Sequence, residues 1–146
     1  MAEVFATATV GAHNRIGQTA VLRASAATTT SYVATNHIRC ADGVSIVFNF
    51  DLTWVDSTSQ QWYVEWSDDG TTWRRETSTS NVAGVWTHVV KSQSMTLGAS
   101  TSWTDGQELN APRTALGAYC RLQVKKTGGG GADALAVSAT IFVDRN

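Results

Sequence analysis

Three histidines, two cysteines and twelve acidic side chains are the groups able to do acid–base, nucleophilic or metal chemistry in this 146-residue chain. His13 stands in a polar stretch, His37 precedes Ile38-Arg39-Cys40, and His88 lies in a β-like segment. None falls in a spacing that binds a metal or relays a proton. A serine nucleophile on a strand-to-helix turn would read GxSxG, and that pentapeptide does not occur. Cys120, within Gly117-Ala118-Tyr119-Cys120-Arg121, has the inward phase of an alternating segment, a packing position rather than a nucleophile's. Cys40 and Cys120 read as two buried free thiols, with a single bridge open if their strands face each other. Asp51, Asp56, Glu65 and the pair Asp68-Asp69 supply carboxylates, yet aspartate in a turn usually accepts backbone N–H bonds. The glycine run 128–131 lacks the lysine of a phosphate-binding loop. The expectation is a protein with no catalytic residue, no metal site and no cofactor, and hence not an enzyme.

The most distinctive segment is Tyr63-Val64-Glu65-Trp66-Ser67-Asp68-Asp69-Gly70-Thr71-Thr72-Trp73. A strand ends at Trp66, Ser67 and Asp68 bond the backbone of the turn, and Gly70 supplies a positive φ. Trp73 is expected to return beside Trp66 as a cross-strand aromatic pair.

The elements that must position these residues read as strands. Ile46, Phe48, Phe50, Leu52 and Trp54 occupy alternate positions against Asn49, Asp51 and Thr53, a period of two that a helix would scatter around its circumference. The alternation returns at Trp62, Val64 and Trp66, at Ala118, Cys120, Leu122 and Val124, and at Leu135, Val137, Ala139, Ile141 and Val143. Weaker strands are expected at residues 4–10, 19–25, 31–35, 71–76 and 85–91. Asp42-Gly43, residues 67–70, Asp105-Gly106 and the hairpin-like, mobile glycine run 128–131 punctuate them as turns. Short helical turns fit near residues 108–116. The sum is one domain, residues 1–146, an all-β antiparallel β-sandwich of jelly-roll or immunoglobulin-like type with about eight or nine strands. Residues 1–12 stand out as an N-terminal arm or edge strand carrying Val4, Phe5 and Val10.

Composition narrows the partners. Eleven basic against twelve acidic residues leave a net charge of −1, so no broad field gathers nucleic acid or anionic lipid. No apolar stretch reaches the ~18 residues of a membrane span, and Met1-Ala2-Glu3-Val4 lacks the features of a secretory signal. The chain is therefore read as made in a cytoplasm and used without export. Of the six tryptophans, Trp54, Trp62 and Trp66 follow the inward phase of their strands and are expected in the core. Trp86 and Trp103 sit beside loops, where an interface anchor or a sugar-stacking platform would use the same ring.

Cys40, Trp54 and Cys120 fall in the Cys…Trp…Cys order of immunoglobulin domains, but Ala118 occupies the place of the corner tyrosine. The turn resembles the Asp-box of sialidases, which has one more residue between Asp and Gly and recurs blade after blade. Ser67, Asp69, Gly70 and Trp73 also match the S-x-D-G-x-x-W hairpin of discoidin-like and other carbohydrate-binding sandwiches. A wider resemblance, over roughly residues 44–143, is to small β-sandwich virion proteins of tailed bacteriophages. It combines the same hairpin with a late strand, Gly117-Ala118-Tyr119-Cys120-Arg121-Leu122-Gln123-Val124-Lys125-Lys126-Thr127-Gly128, a glycine-rich turn and a final apolar strand. That resemblance implies a structural protein of the virion, a head decoration or cement protein that binds the major capsid protein and other copies of itself as a homo-oligomer. Tail or neck placement is a close variant. The competing reading is a carbohydrate-binding module taking a surface glycan on Trp73, Trp86 or Trp103.

Overall fold

The computed structural model describes the backbone at residues 1–5, 7–10, 15–41, 43–75, 77–82, 85–90, 93–96, 101–108 and 117–144, and side chains at 1–5, 16–41, 43–75, 94–95, 101–106 and 117–143. Alternation of apolar and polar residues gives fourteen strand segments over this part of the chain, and none of it is helical. They are β1 (Glu3–Val4), β2 (Thr7–Val10), β3 (Arg15–Ala27), β4 (Val33–Ala34), β5 (His37–Arg39), β6 (Ser45–Thr53) and β7 (Ser59–Ser67). The second half adds β8 (Arg74–Arg75), β9 (Thr77–Val82), β10 (Val85–Val90), β11 (Gln93–Thr96), β12 (Ser102–Glu108), β13 (Tyr119–Thr127) and β14 (Ala134–Asp144).

Two sheets face each other as an all-β sandwich. The front sheet runs β1-β5-β13-β7-β11, with β4 also on β13 and β8 also on β7. The back sheet runs β12-β6-β14-β3-β2, and β9 and β10 form a separate hairpin. Every pairing is antiparallel except β1 with β5. The single core between the sheets takes Trp62, Leu122 and Val124 from the front and Ile46, Phe48 and Leu135 from the back. Ring contacts cross the interior, with Phe50 and Trp62 centroids 4.7 Å apart.

The number of strands exceeds eight or nine because long periodic stretches divide between sheets. Residues 4–10 are one such stretch: Val4 pairs with Ile38 in the front sheet, and Thr7 pairs with Thr19 in the back sheet. Phe5 lies at the transfer between them and is 86 % exposed. Both β1 and β2 end a sheet order, so the N-terminal segment forms edge strands on its own chain.

Three turn and core expectations are corrected. Asp105-Gly106 is not a turn: it lies in mid-β12, where Asp105 pairs with Phe48, faces the core and accepts the Trp62 indole N–H at 2.7 Å. The glycine run 128–131 joins β13 of the front sheet to β14 of the back sheet, so it is a crossover rather than a hairpin tip. Nor does it dangle. It lies against a second crossover, residues 54–58 between β6 and β7, and the two carboxylates there face opposite strands of chain. Asp133, fully buried, accepts the N–H groups of Val55, Asp56 and Ser57 and the Ser57 hydroxyl. Asp56 in return accepts N–H groups of Gly130 and Gly131 at 2.9–3.0 Å. Gly129 (φ +71°) runs so close that a Cβ there would meet Asp56 Oδ1 at 2.3 Å, which requires glycine. Burial works against ionisation of Asp133, but the four donors outweigh it and hold the carboxyl below its usual range.

Trp54 ends the inward phase at this crossover. It turns out to solvent, 53 % exposed, beside Val55 at 50 %, its indole N–H bonded to the Ser57 carbonyl at 2.8 Å. The expected core position for Trp54 is thus overturned, while Trp62 and Trp66 are buried. Cys40 and Cys120 belong to the same sheet rather than facing sheets, and both are buried free thiols. With Trp54 outside, the immunoglobulin arrangement of these three residues does not form. The turns proposed near residues 108–116 lie almost wholly outside the described residues.

Candidate functional site

The hairpin at residues 67–73 closes on Ser67 and Asp69, not on the expected Ser67 and Asp68; the Asp68 carboxylate instead lies 3.6 Å from Arg74 at the surface. The Ser67 hydroxyl donates to Asp69 Oδ1 at 2.9 Å and accepts the Gly70 N–H at 2.9 Å. Asp69 Oδ1 then accepts the N–H groups of Thr71 and Thr72 at 2.8 and 2.7 Å, and its Oδ2 accepts the Thr72 hydroxyl at 3.0 Å. Those backbone donors, Thr72 first, hold the Asp69 carboxyl far below the usual carboxylate range. Gly70 sits at φ +75°, the left-handed region a residue with a Cβ avoids. Both carboxylate oxygens of Asp69 accept bonds within the turn, so this carboxylate is structural.

Trp73 leaves the turn on a different side from the one the sequence suggests. Trp66 registers with Arg74, so Trp73 is one position out of step with the buried Trp66 and reaches the outer face of the front sheet. There its ring lies 5.3 Å from His37 and under the Arg121 guanidinium, whose Cζ is 4.3 Å from the ring centroid. The Trp66–Trp73 pair is replaced by this contact.

That outer face carries a second layer of side chains. Along β13, Tyr119, Arg121, Gln123 and Lys125 point away from the core, opposite Ser67, Glu65, Tyr63 and Gln61 of β7. Outward residues of a sheet are ordinarily wet, yet Tyr63 is 6 % and Glu65 5 % exposed. Arg121 Nε binds Glu65 Oε2 at 2.7 Å and Gln123 Nε2 binds the same oxygen at 3.0 Å. Tyr32 stands edge-on to Tyr63 with centroids 4.8 Å apart. Arg75 lies 5.0 Å over the Tyr63 ring, and Lys125 Nζ lies 4.7 Å over that of Tyr32. His37 meets Tyr119 edge-on at 5.7 Å, which closes the layer beside the hairpin. Burial raises the Tyr32 and Tyr63 hydroxyls above their usual range, against the opposing pull of Arg75, so both remain O–H donors at neutral pH. Burial also lowers His37, against the pull of Glu3, leaving a mainly neutral imidazole.

The remaining candidates are placed as follows. Trp103 is not a free platform: it stacks on Phe50 at 5.1 Å and 6° and packs 5.8 Å from Trp62, partly covered against the core. The Trp86 backbone pairs with Asn81 in the β9–β10 hairpin, and its side chain lies outside the described residues, as do those of Val10, His13 and His88. Cys40 Sγ points to the Gly117 carbonyl at 3.5 Å. Its contact with Cys120, then burial, pushes the Cys120 thiol well above the ordinary thiol range, so Cys120 is not a poised thiolate. A cleft of about 430 Å³ opens where the N-terminal segment changes sheets, with Val4, Phe5, Ile38 and Val143 in its lining. Among the described residues no group of three or more His, Cys, Asp or Glu side chains could hold a metal ion.

Sequence reasoning found Trp73 but not the layer it belongs to. Tyr32, His37, Glu65 and Arg75 come from four different parts of the chain and meet Arg121 and Lys125 of β13, so no local spacing announces the group.

The fold class is a two-sheet β-sandwich, and comparison places that architecture among known ones. The SPBc2 prophage-derived protein YomS matches with a TM-score of 0.51 and 10 % identity, over 92 % of this chain and 99 % of that one. At that identity the likeness shows the fold, and the fold neighbour is prophage-derived. A CBM4 structure matches at a TM-score of 0.43 and 12 % identity, over 93 % of this chain and 77 % of that one. No protein-family model matches the chain, and no curated protein matches its sequence.

Proposed function

We propose that the chain is a structural subunit of a tailed-phage particle, a head decoration protein that attaches to capsid subunits and to further copies of itself. The observation that carries this reading is the Trp54–Val55 tip. It is a large apolar anchor half exposed to solvent, on a crossover already fixed by Asp133, Asp56 and the Trp54 indole bond. An anchor immobilised before contact loses little freedom on association, and tryptophan is the residue most often dominant at interfaces. Phe5, exposed beside a cleft between β1 and β2, offers a second anchor next to strands that end both sheet orders among the described residues. The end-to-end match to a prophage-derived sandwich and the resemblance of residues 44–143 to virion proteins support the same reading. In this role the protein adds buried interface across a shell and raises the barrier to separating its subunits.

The test is co-sedimentation with phage shells purified without this protein, alongside sedimentation velocity of the protein alone. Wild type is expected to pellet with the shells. Trp54→Asp and Phe5→Asp, both at exposed positions, are expected to stay in the supernatant while melting like wild type. A wild-type protein that neither binds shells nor self-associates overturns the proposal.

A further inference from the structure

The outer face of the front sheet carries features that neither crossover anchoring nor subunit packing uses. Among the described residues its strands display four guanidinium or ammonium groups, Arg39, Arg75, Arg121 and Lys125, against two carboxylates, Glu3 and Glu65, with Asp68 held near Arg74 and Asp69 committed to the hairpin. Glu65 is buried and already bonded to Arg121 and Gln123, so the groups left to meet a ligand are chiefly donors. Aromatic rings alternate with those cations: Trp73, His37 and Tyr119 beside the hairpin, Tyr32 at the far end. The outward residues of β13 from Tyr119 to Lys125 cover roughly 20 Å, at about 3.3 Å per residue.

From this geometry we infer that the outer face of the front sheet binds an acidic polysaccharide, a chain of sugars bearing carboxylates at intervals. Rings take the apolar faces of the sugars, while Arg75, Lys125 and Gln123 take carboxylates and hydroxyls. The large apolar side chains exposed in the described residues lie elsewhere, at Met1, Phe5, Val21, Trp54 and Val55, except for Val33 at the margin of the face. A protein interface would want such residues at its centre. A polynucleotide is gathered by a strongly basic field, whereas the chain as a whole is at −1. The buried Tyr63 and Glu65 hold the contacting groups in place before any ligand arrives, which limits the ordering cost of binding. This site shares none of Trp54, Val55 or Phe5, so it stands or falls separately from the subunit reading.

Tryptophan-fluorescence titration of the full chain tests it, with oligogalacturonate as the acidic probe and a neutral cello-oligosaccharide and oligo-deoxythymidylate of equal length beside it. Saturable binding of oligogalacturonate alone is expected, lost when salt is raised to about 1 M, where screening acts within about 3 Å. Lys125→Glu, which removes the ammonium over Tyr32 but keeps the Arg121–Glu65 pair and the buried Tyr63, is expected to weaken binding about tenfold or more, the loss of one charge-assisted bond. Trp73→Ala is expected to do the same, read by calorimetry, and Asn49→Ala on the back sheet to leave affinity as it is. No saturable response to oligogalacturonate overturns the inference. So does equal response to either control ligand, or unchanged affinity in folded Lys125→Glu and Trp73→Ala.

Discussion

The two outer faces of this sandwich are built from the same kind of strand and end up different in kind. On the back sheet, β6, β14 and β12 turn out Asn49, Asp51, Ser138, Thr140 and Thr104, side chains so short that water reaches all of them. There the Thr19 and Thr140 hydroxyls pair across strands at 3.0 Å, and Arg23 Nε donates to the Leu135 carbonyl at 3.2 Å. The front sheet turns out long and planar side chains, which fold over one another and bury Tyr63 and Glu65 beneath a skin of Tyr32, Arg75 and Arg121. A sheet face becomes a rigid platform only when its outward residues are long enough to cover each other and complementary enough to stay there.

Breaking the platform should therefore cost stability where altering the back face does not. Arg121→Ala has the largest expected effect, about 3 kcal/mol in urea denaturation, because Glu65 is then buried with its charge partner gone. A double variant Arg121→Ala/Glu65→Gln should recover part of that loss. If the single variant denatures like wild type, the layer is loose. Tyr63→Ala follows at about 2 kcal/mol, since it removes the ring on which Tyr32 and Arg75 rest.

A smaller effect is expected from pH. The folded pKa of His37 is lowered, so the folded state binds fewer protons than the unfolded chain between that value and the ordinary histidine value of about 6.5. Stability contributed by neutral His37 is thus present above that window and declines as pH falls through it. The urea midpoint should drop on going from about pH 7 to pH 5, and His37→Gln should flatten that drop. Last, Asn49→Ala or Thr104→Ala on the back face should move stability by no more than about 0.5 kcal/mol. A larger change there would erase the distinction between the faces.

Much of the fold was legible. Alternation at residues 46–54, 62–66, 118–124 and 135–143 placed the central strands and most of their buried residues, because inward and outward positions differ in polarity at most steps. The 67–70 turn was legible for another reason: its hydrogen bonds close within four residues, so local chemistry suffices. Trp54 misled because it continues an alternation past the end of its strand, and Asp105 because an Asp-Gly pair reads as a turn unless a distant donor, here the Trp62 indole, holds the carboxylate in mid-strand. The pattern records the phase of a strand and not where the strand ends.

By itself, then, the chain's order of residues determined that it would be a sandwich, most of the alternating residues that would fill it, and that a turn would close at residues 67–70. Those outcomes rest on period and on short-range bonds, both written along the chain. Tertiary structure alone decided that Asp56 and Asp133 would lock two crossovers together, that Trp54 would face solvent, and that Trp73, His37 and Arg121 would meet. Each of those joins segments far apart in sequence, and only the register between strands, set by burying both inner faces at once, brings them within bonding distance.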